Sequence, residues 1–102
     1  MVSLEIKKGQ LVRSRRGRDK DNYFLVYTWD DNFVYVVDGD WRKIQEPKKK
    51  NIKHLWYTNK VSPEIGAKLS RGEKVTNADI REALGKLLLE MNYKMVDKEE
   101  VT

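Results

Sequence analysis

Ten consecutive residues, Arg13-Ser14-Arg15-Arg16-Gly17-Arg18-Asp19-Lys20-Asp21-Asn22, gather four arginines and one lysine around a single glycine. A guanidinium group can hold a phosphate through two parallel hydrogen bonds, and glycine lets the backbone turn tightly and approach a ligand. Arg outnumbers Lys here, and Arg is the better phosphate fork. Asp19 and Asp21 sit among the cations and can pair with them to shape the segment. The competing reading of such a run is a solvated hairpin tip.

A second basic stretch, Lys48-Lys49-Lys50-Asn51-Ile52-Lys53-His54, follows shortly after Arg42-Lys43. Against a polyanion it would add sequence-blind, salt-sensitive affinity; as plain structure it would be a solvated loop or an edge strand guarded by charge. Aromatic residues are interleaved with these cations, Trp41 beside Arg42 and Trp56-Tyr57 after His54. Exposed aromatics beside cations are platforms for unpaired bases, whereas most aromatics of a small protein belong to its core. Neighbours in a regular strand face opposite ways, so at most one of Trp56 and Tyr57 is expected to be buried.

Catalytic chemistry finds little to work with. His54 is the single histidine and there is no cysteine. A structural zinc site needs several nitrogen or sulfur ligands, and a Cys-His nucleophile is impossible. A Ser-His-Asp triad would have to be built around His54 within a lysine-rich stretch. Gly66, Gly72 and Gly85 are scattered and make no phosphate loop. The carboxylate pairs Asp30-Asp31 and Asp38/Asp40 stand at turn positions, where Asp is common. The expectation is a protein that is not an enzyme and holds no cofactor, metal or small-molecule substrate.

The charge balance agrees with polyanion binding. Residues 1–60 carry 14 basic and 8 acidic side chains, residues 61–102 seven and eight, so the net +5 arises wholly in the first part. The alternative is a basic surface that only keeps the protein soluble. At 102 residues the chain suits one domain. Hydropathy is low, at a mean of −0.77. Three Trp, five Tyr and two Phe nevertheless argue for a folded core. Small secreted domains lean on disulfides, so the lack of cysteine favours the cytoplasm. Met1 to Gln10 alternates apolar and charged residues, and neither a signal peptide nor a membrane span is expected.

The elements that must position the cations are mostly strands. Leu11-Val12 begins one, and Tyr23 to Trp29 is an aromatic and β-branched run suited to a pleated surface. Asp30-Asp31-Asn32 reads as a tight turn into the partner strand Phe33 to Val37. Asp38-Gly39-Asp40 turns again, Trp41 to Ile44 reads as a shorter strand ending near Pro47, and Ile52 to Tyr57 as a last one. Short strands closely spaced suggest a closed or nearly closed barrel. Ser62-Pro63-Glu64 then starts a helix, which Gly72 ends. A second helix starts at Thr76 or Asn77 with Asp79 in its first turn. Ile80, Ala83, Leu84, Leu87, Leu88 and Met91 form one apolar helical face. The helices are expected to close the open side of the barrel and bury Ile80, Leu84, Leu87 and Leu88.

The stretch Gly9 to Gly39 resembles a KOW motif, a basic, glycine-containing loop joining short strands. The resemblance rests on Gly9-Gln10-Leu11-Val12, Gly17-Arg18-Asp19-Lys20, the two aromatic strands and Asp38-Gly39-Asp40. Arg42-Lys43, Pro47-Lys48-Lys49-Lys50, Lys53-His54-Leu55, Thr58-Asn59 and Gly72 to Ala78 extend it to short bacterial KOW-domain RNA-binding proteins. Those are similar to archaeal and eukaryotic large-subunit ribosomal proteins. One departure is Asp21, which stands where a glycine commonly follows the loop lysine.

The resemblance implies an SH3-like (KOW) barrel, and with the residue pattern the expectation is a mainly β fold with C-terminal α structure: the barrel over 1–60, two short helices packed on it over 61–96, and over 97–102 an acidic tail read from its composition as frayed. The resemblance also implies binding to structured RNA, ribosomal RNA above all, and partnership with the ribosome or its proteins. The residues expected to carry this are Arg13, Arg15, Arg16, Gly17, Arg18, Lys20, Trp41, Arg42, Lys43, Lys48, Lys49, Lys50, Lys53 and His54. The alternative is a protein-interaction module of the translation or transcription machinery, acting through the barrel or the second helix. A double-stranded DNA reader is weaker still, because Arg81 and Lys86 are accompanied by Glu82 and Glu90 and leave no cationic helix face.

Overall fold

The computed structural model describes the backbone of residues 5–101 and the side chains of residues 5–91. Five antiparallel strands come first: β1 (Gln10–Ser14), β2 (Tyr23–Trp29), β3 (Phe33–Val37), β4 (Lys48–Asn51) and β5 (Leu55–Val61). Two helices follow, α1 (Pro63–Ser70) and α2 (Asn77–Val101). The fold is therefore mainly β with C-terminal α, as the sequence predicts. Strands β2 and β3 and the turn between them lie where the pattern puts them. Asp30 closes that turn by accepting hydrogen bonds from the backbone N–H of Asn32 and Phe33, both at 2.9 Å.

The strand order β4-β3-β2-β1-β5 forces the sheet to curl. Laid flat, β4 and β5 would lie four strand spacings apart, about 19 Å. Only the 3-10 turn Ile52–His54 joins Asn51 to Leu55, and at about 2 Å of rise per residue it reaches roughly 8 Å. The sheet must roll until its edges approach.

Rolling gives the sheet two different faces, and each carries a buried apolar cluster. On the inner face Val12, Phe24, Val26, Val34, Val36 and Leu55 form one buried cluster. On the outer face Leu11, Leu25 and Val37 join Ile65, Val75, Ile80 and Leu87 from the helical part. Strand β2 is covered on both sides, which is why Phe24-Leu25-Val26 is unbroken apolar sequence rather than an alternation. The helices thus pack on the outside of the sheet instead of closing an open side of it. Ile80 and Leu87 are buried as expected, but Leu84 and Leu88 are only half-buried.

Both helices are capped as their sequences require. The Ser62 hydroxyl accepts from the Ile65 N–H, and Pro63 occupies the first turn. Beyond the end of α1, Gly72 takes a φ of +72° while the Glu73 N–H returns to the Lys68 carbonyl. That is the left-handed termination glycine favours. At α2, Thr76 and Asp79 exchange reciprocal side-chain to backbone bonds of 3.0 and 3.1 Å, a capping box.

Three boundaries differ from the sequence reading. Trp41 to Ile44 is a bent, turn-rich segment rather than a strand. The fourth strand is instead the lysine run itself, and β5 begins at Leu55, not Ile52. Helix α2 is not short: it has 25 residues and continues through 97–101, the stretch expected as a frayed tail. No proline or glycine interrupts it after Gly85, and Lys, Glu and Met favour helix. Thr102 lies outside the described residues.

Candidate nucleic-acid interface

Antiparallel register delivers the basic segments to one end of the sheet. Strand β1 finishes at Ser14 opposite Leu55, the first residue of β5, and Arg13 faces Tyr23, the first residue of β2. Val36, near the end of β3, pairs with Lys48, the first residue of β4. The β1–β2 loop (15–22), the β3–β4 segment (38–47) and the start of β5 therefore meet. The acidic Asp30-Asp31 turn lies at the far end of the β2–β3 hairpin.

A nearly buried ion pair bolts the first of these segments to β4. Lys50 is 6% exposed and its Nζ donates to the Arg16 carbonyl at 2.7 Å and to Asp19 Oδ1 at 3.0 Å. The buried Ser14 hydroxyl lies 2.8 Å from the same Asp19 oxygen. Partial burial pushes the Asp19 carboxyl up. Hydrogen bonds from Ser14 and Lys50 and the charges of Lys50 and Lys48 outweigh it and hold the group below the usual carboxylate value. Lys50, expected as a phosphate contact, instead has its ammonium engaged inside the protein. An inward-pointing lysine also keeps an edge strand from pairing with a second chain.

Arg13 is likewise engaged. It belongs to β1 rather than to the loop, donates to Asp21 Oδ1 at 2.9 Å, and lies 4.9 Å from the centroid of Trp56. Arg15 sits over the same ring at 5.4 Å, and its N–H is anchored to the His54 carbonyl at 2.8 Å. Trp56 is 44% exposed, while Tyr57 turns inward, packs on the inner cluster and donates to the Ile52 carbonyl. Burial pushes the Tyr57 hydroxyl up to about 12. Tyr57 is half-buried and Trp56 exposed, the opposite facing that strand alternation requires. Trp56 is the contact-capable residue absent from the expected set, because its position beside Arg13 and Arg15 depends on β1–β5 pairing.

Arg18, Gly17 and Asp19 from the first loop, Trp41 and Arg42 from the second segment, and Lys48 with Lys50 from β4 line one cleft. Two segments far apart in sequence thus present cations to a common surface. Arg15, Arg16, Arg18, Lys20 and Lys43 are exposed, and among the described residues none of them has an ion-pair partner. The alternation of β4 sends Lys49 to the opposite face from Lys48 and Lys50, where it lies 4.2 Å from the Phe33 centroid. Lys49 is therefore not brought into the cleft. Lys53 is exposed and His54 half-buried on the 3-10 turn. Among the described residues no three His, Cys, Asp or Glu side chains gather to hold a metal ion, and no helix is long and apolar enough to cross a membrane.

Asp21 shapes the loop through a backbone conformation that favours glycine. It is the one non-glycine of the described residues with positive φ, +74°. Asp tolerates this left-handed conformation better than most residues do. Asp21→Ala is expected to be less stable than Asp21→Gly by about 1 kcal/mol, since both lose the Arg13 pair and only alanine brings a Cβ into that conformation. Urea denaturation of the two variants measures the difference.

The matches to known proteins are sparse. No family model matches the chain. The chain is 43% identical over 44 residues to the Bacillus subtilis (strain 168) protein named "Putative ribosome-binding protein YbzG". That match covers 43% of this chain and 60% of the relative, so it spans less than two thirds of the relative's length.

Proposed function

We propose that this chain is a cytoplasmic, non-catalytic RNA-binding protein that docks on ribosomal RNA within the ribosome, through a KOW-type SH3-like barrel. The observation that carries this reading is the convergence of Arg18, Arg42 and Lys48 on one cleft, with Arg15, Arg16 and Lys20 exposed on the loop beside it. The curled five-stranded sheet is compatible with that barrel, and the name of the Bacillus subtilis relative points to the same partner. Affinity rests mainly on phosphate contacts, so binding weakens steeply with salt. Recognition of RNA shape supplies the specificity.

The test is a titration of ribosomal RNA at several salt concentrations. Replacing Arg15, Arg16 and Arg18 together by Ala is expected to lower affinity on the order of thirtyfold and to flatten the log–log salt slope by about 3. A salt-independent wild type, or a triple variant that binds like wild type, removes the reading.

The groove between α1 and α2 keeps a protein-interaction reading alive, because Ile65 and Leu87 border it and Leu89 at its rim is 67% exposed. Ribosome association that survives nuclease digestion of accessible RNA would favour that second reading.

A further inference from the structure

Trp41 is 86% exposed, far more than any other large hydrophobic side chain of the described residues. An apolar ring in water contributes nothing to the fold, yet the turn that carries this one is fixed by several independent bonds. The Asp38 carboxylate accepts from the N–H groups of Asp40 and Arg42, both at 2.8 Å, and the Asp38 and Gly39 N–H groups return to the Arg42 carbonyl. Helix α2 fastens the same turn from behind: Arg81 donates to the Gly39 carbonyl at 2.7 Å, and Asn77 accepts from the Ile44 N–H at 2.9 Å. Trp41 is therefore a large flat surface displayed on a stiff, pre-shaped turn.

Its surroundings differ from those of Trp56. Arg13 and Arg15 already lie over the Trp56 ring. Among the described residues no cation lies over Trp41. Arg18, Arg42 and Lys48 line the cleft beside it rather than covering it. That is a free stacking face in a cleft where Arg18, Arg42 and Lys48 outnumber the Asp38 carboxylate, Lys50 and Asp19 being paired with each other.

Resting on the RNA-binding reading above, we propose that Trp41 stacks on an unpaired base while Arg18, Arg42 and Lys48 hold the adjoining phosphates. The ligand class is then RNA with a single-stranded loop or bulge, not a continuous duplex. A base within a duplex is already stacked on both sides and offers no face to an indole, whereas an unpaired base gains from stacking on one.

The experiment compares two RNAs with the full chain: a hairpin carrying a single-stranded loop, and a fully paired duplex of equal charge. Trp41→Ala is expected to weaken hairpin binding about tenfold and duplex binding far less, while Trp41→Phe keeps most of the hairpin affinity. Circular dichroism checks that each variant is folded, which an exposed side chain should permit. Equal loss on both RNAs, or loss on neither, overturns the proposal while leaving RNA binding intact. Loss on whole ribosomes with unchanged binding to naked RNA also overturns it, and assigns Trp41 to a protein contact. A wild-type chain that binds neither RNA removes both this proposal and the reading beneath it.

Discussion

Lys50→Met should lower the unfolding free energy by about 3 kcal/mol, the low end for breaking a buried ion pair by removing one partner. In a domain of this size such a loss moves the thermal midpoint by more than about 10 °C. The cost arises because Asp19, 17% exposed, stays behind as a carboxylate that has lost its cation, and the Arg16 carbonyl is left with only the Ser14 hydroxyl, which Asp19 shares. The low end applies because the Asp19 carboxylate keeps some water and its contact with Ser14. A double variant, Lys50→Met with Asp19→Asn, should recover part of the loss, since no charge then remains stranded. If Lys50→Met melts like wild type, the bolt between the basic loop and β4 does not exist.

The same pair makes stability depend on acid. Asp19 is held below its ordinary value, so its contribution is fully present above the unfolded carboxylate pKa of about 3.9. It is lost as the pH falls through the lower folded value. Asp19→Asn should therefore lose less stability than wild type between neutral and strongly acidic pH, measured by urea denaturation at each pH.

Which of this was legible in the sequence follows from where each signal resides. The hairpin Tyr23 to Val37 was readable because its information is local: β-branched and aromatic runs on either side of Asp30-Asp31-Asn32. The helix starts at Ser62 and Thr76 were readable for the same reason, since a capping residue bonds only three positions away. The strand Lys48–Asn51 was not, because a lysine run lacks strand propensity and is strand only by its pairing with β3. Tertiary context overrides propensity most easily at a sheet edge, where a single neighbour suffices. The two basic stretches could be read as polyanion contacts, but not which of their cations remain available. Lys49 and Lys50 are adjacent and chemically identical, yet one is exposed and the other closes a buried pair. Only strand alternation and a partner 31 residues away distinguish them.

Gly39→Ala is the second substitution with a large expected cost, about 3 kcal/mol, from two sources that add. The residue has a φ of +79°, where a side chain is disfavoured, and an added Cβ would lie 2.4 Å from the Asn77 carbonyl oxygen. That atom belongs to the first turn of α2 and cannot swing aside as a flexible side chain would. Gly72 separates the two sources, because its φ of +72° is similar but nothing lies within 4 Å of its added Cβ. Gly72→Ala should therefore cost only about 1 kcal/mol. Equal losses at the two sites would mean that close packing of α2 against the 38–46 segment is not what fixes it. The consequence reaches the binding surface. Forcing Gly39 away from α2 strains the Arg81 and Asn77 bonds that hold the turn carrying Trp41 and Arg42. On the RNA-binding function proposed above, Gly39→Ala should then weaken binding at temperatures where the protein is still folded, whereas Gly72→Ala should not. The C-terminal helix, net acidic and remote from the arginine loop in sequence, thereby becomes part of what shapes the cationic surface.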